Sequence, residues 1–295
     1  MKLICRVLLV LTVGIASAQS GDAASDCISI PSGTSAVHFH YFTNASPDAA
    51  KLFNTFELEA FGEKLLTSPA SKTALHNLLV NGTGPEVAVT NGATVIEEAS
   101  GPEWRYVALD LSAAYPGRLT QFKRAILFVE PDLFVLYDHL TAKEPVDFQM
   151  VLHPPAATVL DPVWGDLHLD LPKAGLQIHA PGTKKGPRTW SRAVNDAGLT
   201  NEETVAMQLG PTNKVAKLDL ITVFGVYPGG QNPGYSFKLL ESNTAIGARI
   251  QRRGLPTLVA FKSDASLSNA SLTGMSFNGP VGVGIFKPTR KPTTP

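Results

Sequence analysis

Short segments in which apolar and polar residues alternate recur along nearly the whole chain, and this recurrence constrains the fold more than any other feature. They include VHFHYF (Val37 to Phe42), TFELEAF (Thr55 to Phe61), WRYVALDL (Trp104 to Leu111) and RAILFVE (Arg124 to Glu130). LFVLYDHL (Leu133 to Leu140), FQMVLH (Phe148 to His153), LHLDL (Leu167 to Leu171), LITVFGVY (Leu220 to Tyr227) and TLVAFKS (Thr257 to Ser263) continue the series. Successive side chains of a strand point to opposite faces, so alternation gives each strand one buried and one solvated face. Turn chemistry separates the runs. Asn81-Gly82 and Asn91-Gly92 are favoured hairpin dipeptides because Asn and Gly tolerate positive φ, and Glu130-Pro131-Asp132 predicts a tight reversal. No amphipathic helix pattern exceeds a turn or two, Ser46 to Leu52 being the best short candidate. The pattern predicts an all-β fold, a two-sheet antiparallel β-sandwich.

A chain of 295 residues with 44% hydrophobic content can bury a substantial core, and 17% charged residues leave an ordinary surface. Formal net charge is zero, without the basic footprint of a nucleic-acid binder. Residues 1–18 have the plan of a secretory signal peptide: Lys2 and Arg6, the apolar run VLLVLTVGIA, then small residues at Ala16 to Ala18. That apolar run is short for a bilayer span, and no later stretch is long enough, so no membrane span is expected. The reading is a secreted or periplasmic protein. Removing the leader removes Cys5 and leaves Cys27 alone, so the exported domain must rely on its core rather than on a disulfide. Residues 19–35 read as an N-terminal linker, 36–286 as the sandwich domain, and 287–295 (KPTRKPTTP) as a disordered tail.

The stretch from Arg124 to Pro155, RAILFVEPDLFVLYDHLTAKEPVDFQMVLHPP, predicts a buried meander with its charged residues at strand ends. It resembles the C-terminal β-sandwich of the heparinase II/III-like polysaccharide lyases. Arg124, Pro131-Asp132, Asp138 and His153 occupy the places of that family's arginine, "kPDyfvvvD" turn and strand-end histidine. Upstream, NTFELEAFGEKLL (Asn54 to Leu66) looks like the family's "NSFELEAFGEPLL", and HNLLVNG (His76 to Gly82) looks like "HNTVLVDG". The resemblance covers Ala36 to Pro155 well and the rest loosely.

It implies the β-sandwich fold and, for the whole lyases, β-elimination on uronate-containing polysaccharide. Such elimination needs the uronate carboxylate neutralised, a base for the C5 proton and an acid for the leaving oxygen. By resemblance His76 is the metal-side or cleft histidine, with Asn77 beside it. The family's His-x-His-x-Asp-type cluster has no counterpart in SPDAAKLFN (Ser46 to Asn54), and TSPAS (Thr67 to Ser71) stands where a metal-binding aspartate is expected. The family's helical toroid, which supplies a catalytic tyrosine, precedes the sandwich; here only about twenty residues separate the leader from the first expected strand. The catalytic set is therefore read as incomplete. Three readings follow: an exported polysaccharide lyase, a noncatalytic carbohydrate-binding or structural relative, or one part of a split lyase needing a toroid-bearing partner subunit. The partner expected in each case is an acidic, uronate-containing polysaccharide.

Candidate residues follow from the same logic. His38 and His40 lie two apart in a strand and project from one face; with His76 they would make a three-histidine zinc site if the strands are neighbours. The other reading is a polar strand face with His76 hydrogen-bonded in a turn. His76 and Tyr41 are the catalytic candidates. Asn54, Asn77, Arg118 and Trp104 are the substrate-binding candidates, since amide, guanidinium and indole groups suit a sugar acid, although aromatic residues more often pack. Tyr106 and Tyr115 are weaker members of that surface. His139 and His153 are read as strand-end residues near the sheet surface.

Overall fold

The computed structural model of the chain describes residues 27–31, 37–42, 55–67, 78–84, 93–155, 166–180, 188–193, 206–231, 234–252 and 255–286. The leader, the tail, the short helix expected at Ser46 to Leu52 and the Asn91-Gly92 turn lie outside these residues.

The strands begin with β1 (Cys27–Pro31), β2 (Val37–Phe42), β3 (Thr55–Ala60), β4 (Glu63–Leu66), β5 (Leu79–Val80), β6 (Thr94–Gly101) and β7 (Trp104–Asp110). A 3-10 turn at Ser112–Ala114 leads to β8 (Leu119–Val129), β9 (Leu133–Val146), β10 (Phe148–Leu152), β11 (Asp166–Asp170) and β12 (Ala174–His179). Then come β13 (Arg188–Ala193), β14 (Ala206–Pro211), β15 (Val215–Pro228), β16 (Ser236–Glu241) and β17 (Ala245–Arg252). The last are β18 (Leu255–Lys262), β19 (Ala270–Leu272), β20 (Met275–Phe277) and β21 (Val281–Ile285). Among the described residues there is no α-helix, and the expected all-β class holds.

The organising element is a seven-stranded antiparallel sheet in the order β11-β12-β15-β9-β8-β7-β6. Its middle strands, β15, β9 and β8, are apolar on both faces, which requires cover on both sides. One face carries Phe122, Ile126, Phe128, Phe134, Leu136 and Phe224, which form a core with two further sheets. These are β1-β2-β3-β4 and β13-β14-β10-β5. Phe39 of β2 stacks on Phe56 at 5.1 Å and on Phe134 at 5.2 Å, and Phe56 meets Phe224 edge-on at 5.7 Å. Such aromatic contacts weld the outer sheet to the central one. The opposite face carries Leu127, Val135, Tyr137 and Val223 and packs on Ile246, Ala248, Ile250 and Val259. These belong to a fourth sheet, β16-β17-β18-β21. The β19-β20 hairpin caps its outer side through Ala270 and Leu272. The sandwich thus has sheet on sheet on each side of a shared central layer.

Two turns fold as their residues require. Asn81 and Gly82 both have positive φ, 52° and 74°, and Val80 and Thr83 exchange backbone hydrogen bonds across them. The Glu130-Pro131-Asp132 reversal joins β8 to β9 and contains a cis peptide. Arg252, at the end of β17, closes it by donating to the Glu130 carbonyl and to the Asp132 carboxylate. One difference concerns the N-terminal side: β1 pairs along β2, so regular sheet already exists within residues 19–35.

Candidate functional site

The strands around His76 define the first candidate region. β2 pairs with β3 so that His38 lies opposite Glu59 and His40 opposite Glu57. Val37 and Phe39 face the core, and His38 is half-buried on the other face. Strand parity therefore puts His38 and His40 on one face beside two carboxylate-bearing positions. Imidazole and carboxylate are zinc-type donors, so the residue types fit that metal. His76, Asn77 and Asn54 lie outside the described residues, as do the side chains of His40 and Tyr41. Among the described residues, no group of three or more His, Cys, Asp or Glu side chains is placed to hold a metal ion.

The segment that follows His76-Asn77 is held firmly. The Tyr115 hydroxyl donates to the Leu78 carbonyl at 2.9 Å. Arg118 donates from Nη1 to Thr83 O at 2.9 Å and from Nη2 to Gly84 O at 2.7 Å, with its guanidinium 5.3 Å from the Tyr115 ring. Asn81 accepts from the Asp147 backbone N–H at 3.0 Å. Arg118 is thus engaged by the chain just downstream of His76-Asn77. Trp104 stands elsewhere: it pairs with Val129, at the far end of β8 from Arg118, roughly 35 Å away at strand rise. Its half-buried ring packs beside the second core. The structure joins Arg118 to Thr83 and Gly84 and leaves Trp104 apart.

Arg124 and Asp138 are directly opposite across β8 and β9 and form a bidentate ion pair, Nε to Oδ1 at 2.7 Å and Nη2 to Oδ2 at 2.8 Å. Both side chains are fully buried. These residues are mid-strand, where the sequence reading placed charges at strand ends. His153 is also buried, not at the surface, and its carbonyl accepts from the Thr67 N–H at 3.0 Å, tying the end of β4 to the end of β10.

A second region escaped the sequence reading. A cleft of about 400 Å³ opens on the central-sheet face that packs on the fourth sheet. It is bordered by the buried Tyr106 and Tyr137 of the central sheet and by Phe261 of β18, which stacks on Tyr137, and His139 stands mid-strand beside them. Asp219 of β15 accepts from the Tyr137 hydroxyl at 2.8 Å and lies 2.7 Å from His139 Nδ1, while His139 Nε2 lies 3.1 Å from Gln121 Oε1. Burial pushes the Tyr137 hydroxyl far above its ordinary pKa, with the Asp219 charge adding to it, so Tyr137 remains a donor. Burial alone would raise Asp219. The hydrogen bonds from His139 and Tyr137 and the nearby cationic charge outweigh it and hold the carboxyl below its usual range. The signal was present in the register: Lys123 faces His139 and His139 faces Asp219 across β8, β9 and β15. Strand pairing between distant segments is what a single sequence does not display.

No known family model matches the chain, and no curated protein sequence does. Its fold is similar to solved polysaccharide lyases. Heparan sulfate lyase HepC from Pedobacter heparinus superposes with a TM-score of 0.61 at 12% identity, covering 76% of this chain and 39% of that one. Two heparinase III structures give 0.58 at 11% identity and 0.56 at 13%, each covering 77% of this chain and 39% of theirs. The chain thus spans about two fifths of the length of these enzymes. At such identities the likeness is one of fold: an antiparallel β-sandwich of the heparinase III C-terminal type.

Proposed function

We propose that this protein is an exported polysaccharide-handling protein that binds uronate-containing polysaccharide through the face carrying His38, His40 and the His76-Asn77 pair. The observation that supports this most is the fold likeness to heparan sulfate lyase HepC over 76% of the chain. The FELEAFGE and HN blocks, in the same order as in the lyases, support it independently. Arg118, which holds the Thr83–Gly84 backbone downstream of the His76-Asn77 pair, is assigned as the cation for a sugar carboxylate. Asn54 and Asn77 supply amide hydrogen bonds; Trp104, packed beside the core on the other side of the central sheet, is left out of this face. His76 is the residue proposed to move a proton; Tyr41 falls at a position of β2 that shares the core-facing side with Val37 and Phe39, so it is not assigned as the acid. Zinc bound by His38, His40 and His76 would neutralise the uronate carboxylate.

β-Elimination needs three roles filled at one carbon. Ser46 to Asn54 supplies no histidine, so the chain alone lacks part of the set. Binding without turnover is therefore the favoured outcome, with a separate toroid-bearing subunit as the source of the missing groups if turnover occurs. The test uses the purified full chain with heparin, alginate and hyaluronan. Ultraviolet absorbance reports the unsaturated uronate product, and retention on immobilised polymer reports binding. Retention without an absorbance rise supports the proposal. An absorbance rise would make the chain a lyase in its own right, and the absence of both with all three polymers would overturn the proposal. Metal analysis addresses zinc: stoichiometric metal that is lost in His76→Ala is the expected result.

A further inference from the structure

The central sheet has seven strands and the fourth sheet that covers one of its faces has four, so the cover cannot reach both margins. Phe237 of β16, the outer strand of the cover, stacks on His179 of β12, and Tyr235 just before it packs over Gly225 of β15. β11 lies one strand further out and is the margin of the central sheet among the described residues. Its sequence is DLHLD. Leu167 and Leu169 enter the first core, so strand parity places Asp166, His168 and Asp170 on the opposite face. In β12 Leu176 and Ile178 enter the same core, which leaves Gln177 and His179 on that opposite face as well.

Register brings these positions together. Asp166 is directly opposite His179, and His168 is directly opposite Gln177. Opposed positions have Cβ atoms about 5 Å apart, and diagonal or next-but-one positions on one face about 7 Å. Asp166, His168 and His179 therefore occupy three neighbouring places around one point, at spacings that donors reaching a common ion about 2 Å away can span. A merely solvated face accepts any polar residue. The polar positions here carry only carboxylate, imidazole and amide, all lone-pair donors, and no fixed cation.

The neighbouring contacts sort the donors. Asp170 is already engaged, accepting from the Tyr227 hydroxyl at 2.8 Å. The His179 ring lies 4.8 Å from Phe237 and 18° from parallel to it. That stack uses the face of the imidazole, and the lone pairs lie in the ring plane, so the ring is held without its nitrogens being covered by Phe237. His168 and His179 are both half-buried, within reach of solvent ions. Two imidazoles and a carboxylate are a zinc-type donor set, with a fourth position for water. We propose that Asp166, His168 and His179 form an exchangeable site for a zinc-type divalent cation, which fastens the marginal strand β11 to β12. The site lies across the central sheet from β1–β4, apart from the His38, His40 and His76 set. At an open margin with three protein donors its ion exchanges freely, so it fills on titration rather than during purification.

The test uses the full chain carrying His76→Ala, which disables the other histidine set. Cobalt(II) is titrated into it and followed by visible absorbance, zinc is then added to displace the cobalt, and melting is recorded with and without zinc. Saturable absorbance that zinc abolishes is expected, together with a melting temperature that rises with zinc, since an ion bound only by the folded state stabilises it. His168→Ala and His179→Phe should each abolish both signals, and Asp166→Asn should weaken them. His179→Phe keeps a ring against Phe237, so its loss of binding is not a loss of fold. No saturable cobalt binding, or wild-type binding in any of the three variants, which would mean an adventitious ion only, would overturn the site. Metal retained through purification and lost in His76→Ala bears on the polysaccharide face alone, so the two failures are distinguishable.

Discussion

The residue with most at stake in this fold is Arg124. A fully buried guanidinium is tolerable only because Asp138 meets it with two hydrogen bonds in the adjacent strand. Removing one partner strands the other charge in the core. Asp138→Ala should therefore lower stability by about 3–5 kcal/mol in urea unfolding, while the paired change Arg124→Met with Asp138→Leu should cost much less. Asp219 gives a different signature because it is partly exposed. Its folded-state pKa is depressed, so its contribution is fully present above the ordinary carboxylate value of 3.8 and is lost as pH falls through the lower folded value. Melting temperature measured down an acid series should fall in that window, and Asp219→Asn should flatten the fall. The Arg124–Asp138 pair is set by the register of the turn that joins β8 to β9, and the His139–Asp219 pair by the pairing of β9 with the distant β15, neither of which the sequence displays.

At the scale of elements, the stretch TFELEAFGEKLL shows what was legible and what was not. Its alternation predicts a half-buried strand, and β3 buries Phe56, Leu58 and Ala60 as that pattern demands. The chain then reverses at Phe61-Gly62, both with positive φ, 53° and 77°, so that β4 returns along β3. An aromatic residue at a left-handed position hides the hairpin, because Asn or Asp would be the usual sign. Its packing against the first core compensates for the strained backbone. By contrast, Asn81-Gly82 declared its turn openly. Strands β17 and β21 were not recognised, since glycine interrupts the apolar pattern of AIGARIQR and VGVGI. Gly175 of β12 exists for the opposite reason: an added Cβ would meet the Tyr227 ring at 2.0 Å, so Gly175→Ala should destabilise by about 1–3 kcal/mol through overpacking. The segment after His76-Asn77 depends on Tyr115. Tyr115→Phe leaves the buried Leu78 carbonyl without its hydroxyl donor and should cost about 1–3 kcal/mol, read by thermal or urea unfolding.

Over the whole molecule, a central sheet buried on both faces gives the chain two separate cores and two separate surfaces. One surface is the β2–β3 face that the lyase-like blocks mark, and the other lies where the seven-stranded central sheet outruns its four-stranded cover. The fold class was readable because alternation and turn residues act locally. The second surface was not, because it is made by sheets whose order is known only after folding. The likeness to heparinase III is therefore a statement about architecture, and chemistry must be established on this chain's own residues. The most direct measurement is titration of the purified full chain with heparin, alginate and hyaluronan oligosaccharides, comparing wild type with His76→Ala and Arg118→Ala. Saturable binding to at least one uronate oligosaccharide, weakened in both variants, is the predicted result. No binding to any of them, in a chain whose melting curve shows it folded, would contradict the account.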